Sequence, residues 1–185
     1  MMIQVVIIPD SDTTKKLFAR PWALINLKAG ARRAIEAVER DVRANAPKAT
    51  GAYLRSIRSL VEEHDDPYRL VCRVESSSDY AEMVEFGAMP HVVGTKDLMR
   101  WMQAVGMVIK KSLTPQQVAF AIQNKIAERG LPARFVFTKA FEGTQSHFHS
   151  AIDPIITALS GEAEMRFELA STIGHDLSNA SAFIQ

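Results

Sequence analysis

The spacing of hydrophobic side chains predicts one long helix in the first quarter of the chain. Between residues 22 and 45 hydrophobic positions recur at three- and four-residue steps, which is typical of a helix with one buried face. These positions are Leu24, Leu27, Ala31, Ala34, Ile35, Val38 and Val42. Pro47 ends the helix, because its ring disfavours helical geometry at the preceding residue.

Shorter hydrophobic runs on both sides of this helix predict strands. Residues 3–8 form a β-rich run that Pro9 and Asp10 close, so we predict a strand followed by a turn. The polar residues 11–21 predict an irregular connection. Residues 58–63 and the alternating segment 69–76 predict an antiparallel hairpin that the long helix covers on one face.

The second half of the chain is predicted to be helical. The first helix after the 87–94 loop is capped by Thr95, and we expect four of its side chains to point inward: Leu98, Trp101, Met102 and Val105. The next has a complete set of end signals, which are Thr114 as N-cap, Pro115 at the first position, Gln117 at the third and Gly130 after the end. Residues 137–173 predict a further helix, interrupted near Pro154 and Gly161.

These elements give an α+β fold: a long amphipathic helix packed on a small antiparallel sheet, with additional helices in the C-terminal half. We divide the chain into residues 1–142, an α+β domain with an N-terminal strand or arm, and residues 143–185, a C-terminal helical extension.

Composition narrows the function classes without selecting one. The 185 residues carry a net charge of +1, which gives no global attraction to nucleic acid or to a membrane. No hydrophobic run approaches the roughly 20 residues that span a bilayer, and residues 1–8 lack the features of a signal peptide. The single cysteine, Cys72, lies in an alternating strand pattern, where we expect a buried, unreactive thiol in a protein made in a reducing cytoplasm.

None of the candidate clusters for catalysis or metal binding fits an active site. His147 and His149 would lie about 200° apart on a helix and so could not share a face, and a metal site there would need Glu142 as a third ligand. The acidic residues 62–66 lack the pattern of a calcium loop. Glu82 and Glu85 are helix neighbours. We therefore expect no enzyme activity, no metal and no cofactor.

One binding alternative remains open in the long helix. Its basic face carries Arg32, Arg33, Arg40 and Arg43, which could contact phosphate in a nucleic-acid-binding accessory protein. Acidic residues at positions 36, 39 and 41 interleave with these arginines, and this pattern favours an ordinary solvated face.

An ordered set of short motifs resembles a known family. Residues 46–57 read Ala-Pro-Lys-Ala-Thr-Gly-Ala-Tyr-Leu-Arg-Ser-Ile, and residues 80–91 read Tyr-Ala-Glu-Met-Val-Glu-Phe-Gly-Ala-Met-Pro-His. With the segments 124–130 and 134–140, they resemble the tail-component family of tailed phages that includes the minor tail protein Z of phage lambda and lambdoid head–tail joining proteins. The resemblance covers residues 29–142, and Ala88 departs from it where threonine or serine is more usual.

The resemblance implies a non-enzymatic virion protein of the phage neck, a tail-completion or head–tail joining subunit. It implies a homo-oligomeric ring, which we expect to be six-fold, between head and tail, assembled in the host bacterial cytoplasm. The expected partners are other neck and tail proteins (connector, tail terminator and tail tube), with no membrane and no specific nucleic acid, although DNA would pass through the ring. The expected subunit-contact or motif residues are Pro47, Thr50, Gly51, Leu54, Tyr80, Glu85, Phe86, Gly87, Pro90 and His91.

Overall fold

A four-stranded antiparallel sheet forms one layer of the fold. The structure is a computed structural model that describes residues 1–48, 51–65, 68–159 and 165–172. The strands are β1 (Met2–Pro9), β2 (Ile57–Asp65), β3 (Tyr68–Ser76) and β4 (Met165–Thr172). Their order across the sheet is β2-β3-β1-β4. The predicted first strand and the predicted hairpin are both confirmed.

Seven helices among the described residues complete the fold and confirm the α+β class. They are α1 (Ser11–Ala19), α2 (Pro21–Asn45), α3 (Ala52–Ser56), α4 (Ala81–Phe86), α5 (Thr95–Ala104), α6 (Pro115–Arg129) and α7 (Val136–Ala158). The long helix predicted for residues 22–45 is α2. It ends as expected, because Ala46 leaves the helical region with φ −72° and ψ 147° before Pro47. None of the described helices is long and apolar enough to cross a membrane.

The main core lies between the sheet and the helices α2 and α7. β1 alternates strictly, and the buried side chains Ile3, Val5 and Ile7 share one face. The two helices approach each other closely at Gly30, where an added Cβ would lie 2.9 Å from the Ala151 carbonyl oxygen. Only glycine fits at this crossing.

The sheet also buries the thiol of Cys72. Burial raises the pKa of Cys72 to about 12, so the thiolate is disfavoured. The expectation of a buried cysteine is confirmed.

The prediction of an irregular connection over residues 11–21 is wrong for its first nine residues, which form α1. Asp10 begins the helix by accepting a hydrogen bond from the Thr13 backbone N–H at 2.7 Å. The hydrogen bonds from Thr13 lower the pKa of Asp10. Leu17 is fully buried, so this short, mostly polar helix is stabilised by its cap and one anchoring side chain.

The prediction of helix over residues 137–173 is wrong at its C-terminal end. α7 continues through Pro154 without interruption and stops at Ala158, and residues 165–172 form β4, which pairs with β1 from Met2↔Thr172 to Pro9↔Met165. Residues 165–170 alternate hydrophobic and polar or small side chains, a strand pattern that the preceding helical stretch obscured. The predicted interruption at Gly161 lies outside the described residues, and the predicted boundary after residue 142 falls within α7.

The helices α5 and α6 agree with their predicted positions. At α6 the capping box is complete: Gln117 N–H donates to Thr114 Oγ1 and Thr114 N–H donates to Gln117 Oε1. At α5 the cap is Gly94 rather than Thr95. Trp101 is exposed rather than turned inward, as is Val105 after the helix end, because the core they were expected to fill is very small.

Candidate functional site

The two motif segments of the sequence meet in space. Tyr53, at the start of α3, is buried, and its ring lies 6.0 Å from the half-exposed ring of Tyr80 at the start of α4. Burial, together with the nearby charge of Glu85, raises the pKa of Tyr53 to about 12. The Ser77 N–H donates to the Ser56 carbonyl, which ties the end of β3 to α3. Residues 46–57 and 80–86 therefore form one structural unit.

Glu85 is the most constrained polar side chain of this unit. It is fully buried, and its carboxylate accepts hydrogen bonds from Phe137 N–H at 2.8 Å, Thr138 N–H at 2.9 Å and Thr138 Oγ1–H at 2.6 Å. These two N–H groups belong to the first turn of α7, which has no cap of its own because the preceding residue is Phe135. A side chain 52 residues earlier thus caps this helix, where the helix dipole favours a negative charge.

Phe135 shows how tightly the contact between α4 and the start of α7 is fixed. It adopts φ 53°, the only positive φ of a non-glycine residue among the described residues. Its N–H donates to the Glu85 carbonyl, and the Arg134 N–H donates to the Val84 carbonyl. The backbone of α4 therefore fixes the entry to α7 in a conformation that an aromatic residue rarely adopts.

Two glycines allow the segment after α4 and the segment after α6 to lie side by side, and we call this contact the paired-glycine joint. Ala88 and Leu131 exchange both backbone hydrogen bonds, at 3.0 and 2.8 Å. A Cβ on Gly87 would lie 2.3 Å from the Leu131 carbonyl oxygen, and one on Gly130 would lie 2.0 Å from the Ala88 carbonyl oxygen. Both glycines also have positive φ, 79° and 71°. No other residue fits at either position without moving the backbone.

This paired-glycine joint separates residues 89–129, the α5–α6 module, from the rest of the protein, the body. The two helices of the module pack mainly on each other around a core of only four buried residues, Leu98, Met102, Ala119 and Ile126. Large hydrophobic side chains remain exposed on it, including Val108 at 95% and Phe120 at 58%. The others are Met89, Val92, Trp101, Val105, Met107 and Leu113.

The remaining motif residues divide between backbone roles and surface. Gly51 starts α3 with φ 70°, and Leu54 packs at the edge of the core. Phe86 is half exposed. Pro90 and His91 begin the module, where His91 Nδ1 lies 2.8 Å from the Met89 carbonyl oxygen. Thr50 lies outside the described residues.

The histidines considered as metal ligands are placed apart. His147 Nε2 lies 2.7 Å from Asp41 Oδ2 on α2, whereas His149 faces Asp153 and the Phe167 ring. Nowhere in the described ranges do three or more His, Cys, Asp or Glu side chains form a group that could hold a metal ion.

The basic face of α2 is smaller than the sequence indicates. Arg43 donates to the Ile57 carbonyl and pairs with Glu39 at 2.7 Å. Arg32, Arg33 and Arg40 are exposed, but the exposed Glu36 lies between them on the helix.

Sequence reasoning missed the partners of Glu85. Nothing in the sequence connects it with residues 137 and 138, because the contact crosses 52 positions. Gly130 was predicted only as a helix stop, and its role against Ala88 depends on the same long-range closure. The absence of a capping residue before α7 was the one available signal that another side chain must cap it.

Comparison with known proteins supports the resemblance for part of the chain. Residues 14–87 match the model of a family described as "Bacteriophage HK97-gp10, putative tail-component". No curated protein and no solved structure matches the chain. The match ends at Gly87, just before the α5–α6 module, so the resemblance drawn for residues 88–142 stays a prediction. Over residues 14–87 the chain is similar to this tail-component family, which confirms the resemblance to tailed-phage tail proteins and supports a structural role in a phage.

Proposed function

We propose that the chain is a structural subunit of a tailed-phage virion that completes the tail or joins it to the head. The observation that carries this proposal is the match of residues 14–87 to a phage tail-component family. The matched residues supply α2, the β2–β3 hairpin and α4, which together hold much of the core and the whole of the Tyr53–Tyr80–Glu85 unit.

The proposed role is architectural rather than catalytic. Glu85, the one fully buried acid among the described residues, has its carboxylate occupied by the first turn of α7. This position gives the motif carboxylate a structural role: it holds α4 against the first turn of α7. We assign no cofactor, and the motif residues act through packing and backbone geometry.

We further propose that copies of the chain form a ring, with six subunits, in the neck of the particle. Its neighbours would be the connector, the tail terminator or the tail tube, and DNA would pass through its centre. Support comes from the large exposed hydrophobic side chains of the module, which form a surface unusual for a monomer.

Removing the chain from the phage tests the proposal directly. A phage with a stop codon early in this reading frame should produce filled heads and separate tails that do not join, and supplying the chain from a plasmid should restore infectious particles. The matched control is a complementing copy with the exposed substitution Glu82→Gln. Normal yield of complete particles without the chain would contradict the proposal.

A second candidate function, binding of duplex DNA, rests on the exposed arginines 32, 33 and 40 of α2. Salt-dependent retention of DNA, lost when all three are changed to glutamate, would support it. Identical elution with and without DNA would exclude it.

A further inference from the structure

Two hydrophobic surfaces lie at opposite ends of the described structure. One is the exposed side of the α5–α6 module. The other, the hairpin-end patch, consists of the exposed residues Phe18, Trp22 and Ile25 together with the β2 residues Glu63 and Asp65 near the β2–β3 turn. Phe18 contacts Tyr68, the first residue of β3, edge to face at 5.2 Å, and Lys28 of α2 pairs with Glu63 at 2.7 Å.

The length of β3 separates these surfaces. The strand starts at the hairpin end and runs nine residues, about 30 Å at roughly 3.3 Å per residue. At its far end Ser76 leads into α4 and then, through Gly87, into the module. α2 starts near the hairpin end, where Lys28 pairs with Glu63, and finishes near the start of β2, where Arg43 donates to the Ile57 carbonyl. α7 runs antiparallel to α2, and its first turn lies beside α4 at the module end. The two surfaces therefore cannot meet within one chain.

Their charges are opposite in sign. The module carries six Lys or Arg residues against two Asp or Glu residues. The sequence of the hairpin end, residues 62–66, carries four acidic residues and one histidine. Lys28 pairs with Glu63 at 2.7 Å and Arg73 pairs with Glu62 at 3.0 Å, whereas the exposed Asp65 has no ion-pair partner among the described residues. Complementary charge of this kind directs the orientation of two surfaces that also bury hydrophobic area.

We propose that the α5–α6 module of one copy docks on the hairpin-end patch of a second copy. The contact is heterologous, because it joins two different patches, and repeated contacts of this type close into a ring when the rotation between copies allows it. The inference rests on the proposed function and deepens it by naming the two surfaces. Exposed side chains on each provide the hydrophobic anchors: Val108 and Phe120 on the module, and Trp22 and Ile25 on the patch, with Ile25 65% exposed.

Paired variants of the whole chain test this docking. One variant carries Val108→Glu and Phe120→Glu, and the other carries Trp22→Glu and Ile25→Glu. All four positions are exposed, so both variants should fold, which far-UV circular dichroism and thermal melting would verify. Leu60→Glu on β2 is the matched control, since Leu60 is an exposed hydrophobic residue outside both surfaces.

Native mass measurement at micromolar concentration gives the readout. The wild type and the Leu60→Glu control should form the same oligomer, and each double variant alone should be a monomer of 20.5 kDa. An equimolar mixture of the two double variants should give a species of twice the chain mass and nothing larger, because each partner retains one intact surface.

Several results would overturn the inference. If the module variant assembles like the wild type, the module is not the contact surface. If only the module variant fails to assemble, modules pair with each other rather than with the patch. A monomeric wild type also overturns the inference, whereas the proposed function falls only if phage lacking the chain still join heads to tails.

Discussion

The body and the α5–α6 module differ in how much of their hydrophobic surface they bury. In the body, α2 and α7 cover one face of a four-stranded sheet, and 25 residues form a continuous buried core. In the module, two helices enclose only four buried residues, and hydrophobic side chains as large as Phe120 face outward. The difference teaches that the body supplies folding stability and the module supplies surface.

The joint between the two regions belongs to the body. Glu85 caps α7, and Gly87 and Gly130 hold the backbones of the two connecting segments within hydrogen-bonding distance. The ends of the module are therefore fixed, although its own core is thin. Such an arrangement orients a surface without requiring that surface to be buried within the chain.

The largest difference between the regions is expected from truncating one aromatic side chain in each. Phe148→Ala in the core of the body should lower the free energy of unfolding by about 3–5 kcal/mol, through lost burial and a cavity. Phe120→Ala on the module should change it by less than about 0.5 kcal/mol. Urea denaturation followed by circular dichroism measures both, and equal losses would contradict the division into stabilising body and exposed module.

Removing the cap of α7 should have the next largest effect. Glu85→Ala leaves the Phe137 and Thr138 N–H groups without their acceptor, and a buried unsatisfied group costs about 1–3 kcal/mol. We expect a loss of about 3 kcal/mol in the same denaturation experiment. Glu82→Ala, on the exposed side of the same helix, is the control and should remain near the wild-type value; similar losses for both would show that Glu85 is not the cap.

The paired-glycine joint should tolerate alanine poorly compared with a glycine inside the module. Gly87→Ala combines positive φ with a Cβ 2.3 Å from a carbonyl oxygen, so we expect a loss of about 2 kcal/mol or more. At Gly106 the only obstacle to alanine is the positive φ, because no atom lies within 4 Å of the added Cβ. Gly106→Ala should therefore lower the free energy of unfolding by about 1 kcal/mol. Thermal melting compares them, and a larger loss at Gly106 would be inconsistent with a tight joint.

The smallest effect is expected at the cap of α1. Asp10→Ala should destabilise the protein by about 1 kcal/mol. Because the folded-state pKa of Asp10 is lowered, its charge contributes stability above its unfolded pKa of roughly 3.9, and this contribution is lost as pH falls. Asp10→Asn keeps the cap but should lose that part of the acid dependence. An unchanged pH profile between 5 and about 2 would contradict this assignment.

Local patterns predicted most of the body and the ends of α6, but little of the joint. The stripe of α2, the β-rich run of β1 and the capping box of α6 each depend on residues close in sequence, and all three are confirmed. The α1 helix was missed because its cap, Asp10, was read as part of a turn. β4 was missed because its alternating residues follow a long helix in the sequence.

The candidate site could be predicted only in part for the same reason. The motif positions from Tyr80 to Gly87 were identified by resemblance, but the role of Glu85 depends on a contact with α7 that no local pattern encodes. The exposure of Trp101 likewise depends on how small the core of the module is, and helical periodicity does not report the size of a core.

The number of copies in each virion tests the central claim most directly. Quantitative mass spectrometry of purified particles, with the major capsid protein as internal standard, measures this ratio. A structural subunit forming one neck ring predicts a constant value close to six copies per particle in every preparation. Absence of the chain from purified particles, or a ratio that varies between preparations as it would for a carried-over contaminant, would contradict it.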